Sequence, residues 1–131
     1  MAIPAKLVSV GLAVAGIINL LPTIGVAGAG WLRSLYGFEI ANPDLEILLR
    51  HRAVLFGILG VLLLAAALRP GLRDVAALVA GASMASFIAI AVIVGGYGPS
   101  IRTVVIADII GLLALIPVAL ARPTSAGRIV G

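Results

Sequence analysis

Four long apolar runs, each ended by a break rich in proline or glycine, govern what this chain can fold into. A helix needs about 20 mostly apolar residues to cross a bilayer core about 30 Å thick. Runs of that kind extend over about residues 6–29, 43–68, 75–94 and 101–121. The 131 residues are 63% hydrophobic and 11% charged, and the mean hydropathy is +1.29. A soluble domain of this size has too little interior to hide so much apolar surface. The expected fold is therefore all-α: one integral membrane domain over residues 1–131, an up-down four-helix transmembrane bundle. A short polar tail, 122–131, would follow it.

Local signals mark where these helices begin and end. Asn42 is a good N-cap, Pro43 suits a first helical position, and Asp44 and Glu46 put negative charge at the positive end of the helix dipole. Arg69-Pro70-Gly71 stops the second helix, so a tight turn from Arg69 to Asp74 predicts an antiparallel hairpin with the third. Gly95-Gly96-Tyr97-Gly98-Pro99 separates the third from the fourth. The N-terminal run has a competing reading. Lys6, the apolar stretch and Ala27-Gly28-Ala29 resemble a secretory signal peptide and its cleavage site. The run is longer than such segments usually are and is interrupted by Asn19 and Pro22, so a retained first helix is expected.

The formal net charge is +4 and the pI about 10.8. The nine Lys and Arg residues are scattered at the ends of apolar runs, with no basic cluster. That distribution excludes nucleic acid as the partner and suits contact with anionic lipid headgroups. With four spans, Lys6, Arg69, Arg73, Arg122 and Arg128 share one side, and Arg33, Arg50, Arg52 and Arg102 the other. Arg50 and Arg52 lie inside a helical run and count poorly as loop charges. The positive-inside rule then puts both termini in the cytoplasm. Trp31, Tyr36 and Tyr97, with the acids Glu39, Asp44 and Glu46, fall at the outer boundary.

The stretch ILLRHRAVLFG, residues 47–57, sets Arg50, His51 and Arg52 side by side in the second run. That run is long for a bilayer, about 39 Å at 1.5 Å per residue, and the triplet begins about 10 Å from its start. Glu46 stands four residues before Arg50, the favourable order for a helical ion pair. Successive helical residues point about 100° apart, so one or two of the three must turn toward the other helices. Asp108, in VVIADIIGLLAL, lies at a comparable depth. A carboxylate inside a membrane helix costs about 2.5–3.5 kcal/mol and almost always faces the bundle interior. Asn19 is in the same half of the first helix. The sequence thus offers a polar cluster of Asn19, Arg50, His51, Arg52 and Asp108, with Ser83 and Ser86 nearer the middle. Either an Asp108–Arg bridge holds helices together, at about 0.6–2 kcal/mol per bond, or the cluster is a ligand- or proton-handling site. Small residues at Ala77, Gly81, Ala85 and Ala89, at Gly11 and Ala15, and at Gly111 give helices room to approach.

Much chemistry is excluded. There is no cysteine and one histidine, so no zinc site with two His ligands forms within the chain. A bis-His haem would need a second copy. No phosphate loop follows a strand and there is no GxSxG elbow. No catalytic residue, metal or cofactor is assigned. Arg50 or Arg52 can clamp a phosphate or carboxylate, and His51 can shuttle a proton near neutral pH.

The segments INLLPTIGV, LYG, NPDLEILLRHRAVLFGILG, SF, GGY and RTVVIADII, spread from about Gly16 to Leu115, resemble a family of small four-helix bacterial inner-membrane proteins. Its members often carry the name phosphopantetheine adenylyltransferase. The soluble enzyme of that name is a Rossmann-like α/β protein with an HxGH-type motif; this chain has neither that motif nor a parallel-sheet pattern. The resemblance implies the fold and draws attention to the Arg-His-Arg and Asp108 positions, and implies no activity. The expected function is to hold a lipid- or quinone-like amphiphile at the polar cluster near the outer face, with membrane lipids as partners. A structural or accessory subunit in a homodimer or larger membrane complex, and a small dimeric proton-coupled transporter, are the alternatives.

Overall fold

The structure is a computed structural model that describes residues 3–121. Helix α1 spans Ala5–Leu20 and continues as a tighter 3-10 segment over Leu21–Ala27. Pro22 sits at the change: it has no N–H to donate back to the preceding turn. Gly28, at φ 146°, then turns the chain through a backbone conformation that side chains disfavour. A short helix α2, Ala29–Tyr36, follows and ends at Gly37, whose φ of 72° lets its N–H close on the Arg33 carbonyl at 2.8 Å. Helix α3 spans Pro43–Leu68. A 3-10 turn, Pro70–Leu72, leads into α4, Arg73–Val94, and α5 spans Pro99–Ala121.

Four of these helical segments are long and apolar enough to cross a membrane: Ala5–Ala27, Pro43–Leu68, Pro70–Val94 and Pro99–Ala121. The second matches its predicted bounds, and the Leu45 N–H donates to Asn42 Oδ1 at 2.7 Å as a cap should. Helices α4 and α5 begin two residues earlier than the sequence pattern predicts. The first span ends at Ala27, and Ala27-Gly28-Ala29 form the bend into α2. The apolar pattern hides α2, because eight residues are too few to register beside a span. The expected tail, with Arg122 and Arg128, lies outside the described residues.

The chain is an all-α bundle. Helix α1 packs on α3 and α5, and α4 packs on α5 and α3. Chain neighbours run antiparallel: Ser9 meets Ala67, and Gly16 meets Gly60. The segment Ala29–Tyr36 lies across one end, touching α3, α5 and the 3-10 segment, with Leu32 and Tyr36 buried beneath it. At the opposite end, where α1 begins, Arg73 Nη2 donates to Ser9 Oγ at 2.9 Å and Ser9 Oγ donates to the Ala67 carbonyl at 2.9 Å. Arg73 Nε donates to Ala66 O at 3.4 Å. One cation thus ties three helices and satisfies carbonyls at the end of α3. The apolar core, including Leu12, Leu63, Met84 and Leu115, fills this half of the bundle.

Helix spacing in that half is set by glycine. A Cβ on Gly11 would strike the Ala114 carbonyl oxygen of α5. One on Gly16 would come within 3.1 Å of the Gly60 carbonyl oxygen of α3, and one on Gly111 within 2.5 Å of Met84 Sδ. The small-residue row on α4 behaves differently. Its buried face is Ala76, Ala80 and Met84, so Ala77, Gly81, Ala85 and Ala89 lie to one side, and nothing stands within 4 Å of a Cβ on Gly81. Gly11→Ala is therefore expected to cost about 1–3 kcal/mol of overpacking and to lower the melting temperature in detergent, while Gly81→Ala leaves it unchanged. Thermal unfolding of the two variants beside wild type checks this.

Candidate functional site

Helical geometry sends the three residues of the Arg-His-Arg triplet to three places. Arg50 reaches the end of the 3-10 segment: Nε donates to Val26 O at 3.0 Å, and Nη1 pairs with Glu46 at 3.4 Å. The Glu46–Arg50 pair expected from their spacing is therefore present, and Arg50 serves as a strap between α3 and the first span. His51 is exposed and has no polar partner among the described residues. Arg52 turns inward. Its guanidinium carbon stands 4.8 Å from the Phe56 ring centroid and 4.7 Å from that of Phe87. Two aromatic faces hold the cation, and its Nε is buried without a hydrogen-bond partner.

Asp108 and Asn19 face the same interior. Asp108 is 5% exposed and Asn19 2%, the two buried polar side chains of the described bundle. Asn19 Nδ2 donates to the Ala15 carbonyl one turn earlier at 2.8 Å. That carbonyl only accepts, which fixes the amide orientation and leaves Oδ1 buried with no partner. Asp108 makes no hydrogen bond and no ion pair with any described residue. The bridge to an arginine that the sequence allows is not formed. Arg52 supplies an opposite charge across open space rather than in contact.

That space consists of two cavities with a shared wall at Phe56 and Asp108. The larger, of about 370 Å³, lies among α1, α2, α3 and α5. Ile18, Leu21, Leu35 and Val104 make its walls apolar, and Asn19 and Asp108 are its buried polar groups. The smaller, of about 180 Å³, lies among α3, α4 and α5 and is lined by Arg52, Phe87, Ser83 and Ser86 besides the shared residues. The arrangement suits a ligand with an apolar body and a polar end, the usual make-up of a small-molecule site.

The structure thus gathers Asn19, Arg52 and Asp108 and leaves Arg50 and His51 outside. Asn42, Asp44 and Glu46 stay at the start of α3. Ser83 and Ser86 do reach the smaller cavity, with Ser86 Oγ donating to Ser83 O at 2.9 Å. Sequence reasoning passed over Phe56, Phe87, Ser34, Ser100 and Thr103. Phe56 stands four residues after Arg52, the helical spacing that brings a cation over a ring, so that signal was present. Ser34 belongs to α2, which the hydropathy pattern conceals. Among the described residues no three His, Asp or Glu side chains gather where a metal ion could sit. Comparison with protein-family models, with curated proteins and with solved structures gave no match.

A buried carboxylate without a bond is a local cost to folding. Asp108→Asn is expected to stabilise the bundle by on the order of 1 kcal/mol, seen as a raised melting temperature in detergent. A lowered melting temperature would instead reveal a bridge that stabilises the bundle.

Proposed function

We propose that this is a multi-pass protein of a bacterial inner membrane, with both termini in the cytoplasm, that holds a lipid- or quinone-like amphiphile. The apolar body lies along the walls of the larger cavity and the polar end meets Asn19 and Asp108. One observation carries this reading: an open, mainly apolar cavity contains a buried amide oxygen, Asn19 Oδ1, and a buried carboxylate, Asp108, that the described residues leave without a hydrogen bond. Buried polar groups are bonded as a rule, and exceptions call for a functional reason. The cationic end of the bundle, with Lys6, Arg69 and Arg73, supports the orientation. The likeness of the RHR and VVIAD segments to the small bacterial four-helix family agrees with the location.

One further observation favours a second reading. Asp108 lines both cavities, the placement a proton-coupled carrier, working as a dimer, would give its coupling acid. The two readings separate experimentally. Native mass spectrometry of protein released gently from its own membrane is expected to show a discrete bound mass. The mass should vanish in Asn19→Leu and Asp108→Asn and persist in His51→Gln, whose side chain faces away. If no form carries a bound mass, the binding reading falls. In that case, proton movement abolished by Asp108→Asn in proteoliposomes would establish the carrier.

A further inference from the structure

We propose, building on the amphiphile reading, that the larger cavity selects a head that donates hydrogen bonds: an amine or a hydroxyl-bearing group with two or more N–H or O–H bonds. Phosphates, carboxylates and bare carbonyls are then the wrong class. The inference comes from the direction of every hydrogen bond on the cavity wall.

Five polar side chains line it: Asn19, Ser34, Ser100, Thr103 and Asp108. Ser34 Oγ donates its one hydrogen to the Gly30 carbonyl at 3.2 Å, and Thr103 Oγ1 donates its own to Pro99 O at 3.1 Å. Both hydroxyls bond back to the preceding helical turn and retain only lone pairs for a ligand. Asn19 engages one N–H of Nδ2 on Ala15, keeps the second, and leaves Oδ1, a pure acceptor, buried without a partner. Asp108, as a carboxylate, accepts only. Ser100 alone keeps a free hydroxyl hydrogen. No Lys, Arg, His, Tyr or Trp lines this cavity, and Arg52 lines the other one.

The wall is therefore a field of acceptors around one carboxylate. An anionic head placed here would meet the Asp108 carboxylate directly, while Arg52, whose charge reaches Asp108 without contact, lines the other cavity. A ketone or an oxidised quinone would find two donors, the Ser100 hydroxyl and the second N–H of Asn19, and would leave Asn19 Oδ1 and the Asp108 carboxylate unpaired. A diol, a quinol or an ammonium would satisfy Oδ1 of Asn19 and the carboxylate of Asp108 together. Sites that offer buried hydrogen-bonding groups reject analogues lacking the matching group strongly, because those groups are then left unpaired.

The chain reports on its own cavity. Its single tryptophan, Trp31, lies on α2, whose Ser34 and Leu35 are part of the cavity wall. Purified protein in detergent is titrated with 1,2-decanediol, decylamine and decanoate, which share one chain length, and Trp31 emission is followed. The diol, the amine or both are expected to bind at least about tenfold more tightly than decanoate, the effect of roughly one charged hydrogen bond. Amine above diol identifies Asp108 as a charge partner; diol level with or above amine identifies a neutral polyhydroxyl or quinol head. Asp108→Asn places an N–H donor where the carboxylate stood. It is expected to narrow the difference by improving decanoate binding, a gain that a misfolded variant would not show. Decanoate binding as tightly as the donors, and lost in Asn19→Leu, would overturn the donor rule and leave the amphiphile reading standing. No binding by any probe overturns both.

Discussion

Close helix approach at glycine is the constraint on which the rest of this bundle depends. In lipid there is no hydrophobic drive to press apolar helices together, so association rests on packing at small residues and on a few polar ties. Gly11 against Ala114, Gly16 against Gly60 and Gly111 against Met84 supply that packing. The first of these lies toward the end where α1 begins and the other two near the middle of their helices, and the core is filled from that end to the middle. Beyond them the facing positions carry Asn19, Phe56, Phe87 and Asp108, and the space between helices opens into two cavities. Close approaches at Gly25 and Gly57 hold the 3-10 segment to α2 and α3 beside that space.

Polar groups divide along the same line. Arg73 and Ser9 bond each other and the last carbonyls of α3, and close the packed end. Arg50 and Arg52 are the same residue type two positions apart, yet one straps α3 to the first span and the other is held between aromatic faces with an unbonded nitrogen. The difference follows from helical rotation alone: two residues turn the side chain by about 200°. Asn19 Oδ1 and Asp108, like Arg52 Nε, have no hydrogen-bond partner among the described residues, and all three lie in the open half.

The helix α2 illustrates how such a site escapes a reading by hydropathy. Its one-sided pattern, with Leu32 and Tyr36 inward and Trp31 outward, is present in the residues. Only the turn at Gly28 separates it from the first span, and eight residues cannot cross a bilayer. Yet it contributes Ser34 and Leu35 to the cavity. The bounds of α3, by contrast, were legible, because Asn42, Pro43 and Arg69-Pro70 act locally through capping and a missing donor. The row Ala77, Gly81, Ala85 and Ala89 was legible as a row but not as an interface. Composition reports that a face is small, and the facing helix decides whether anything fills it.

What the chain determined by itself was its class and its depth pattern. Apolar runs of spanning length leave helices as the available structure, since backbone groups in lipid must bond within their own segment. Counting along those helices sets Asn19, the arginines and Asp108 at one level. Tertiary structure alone decided which of them meet. The azimuth of each helix about its axis comes from packing against neighbours, and it turns Arg52 inward, His51 outward and Asp108 between two cavities without a bond. Spacing along a sequence gives depth and relative angle. Contact depends on the rotation of one helix against another, a quantity no single segment contains.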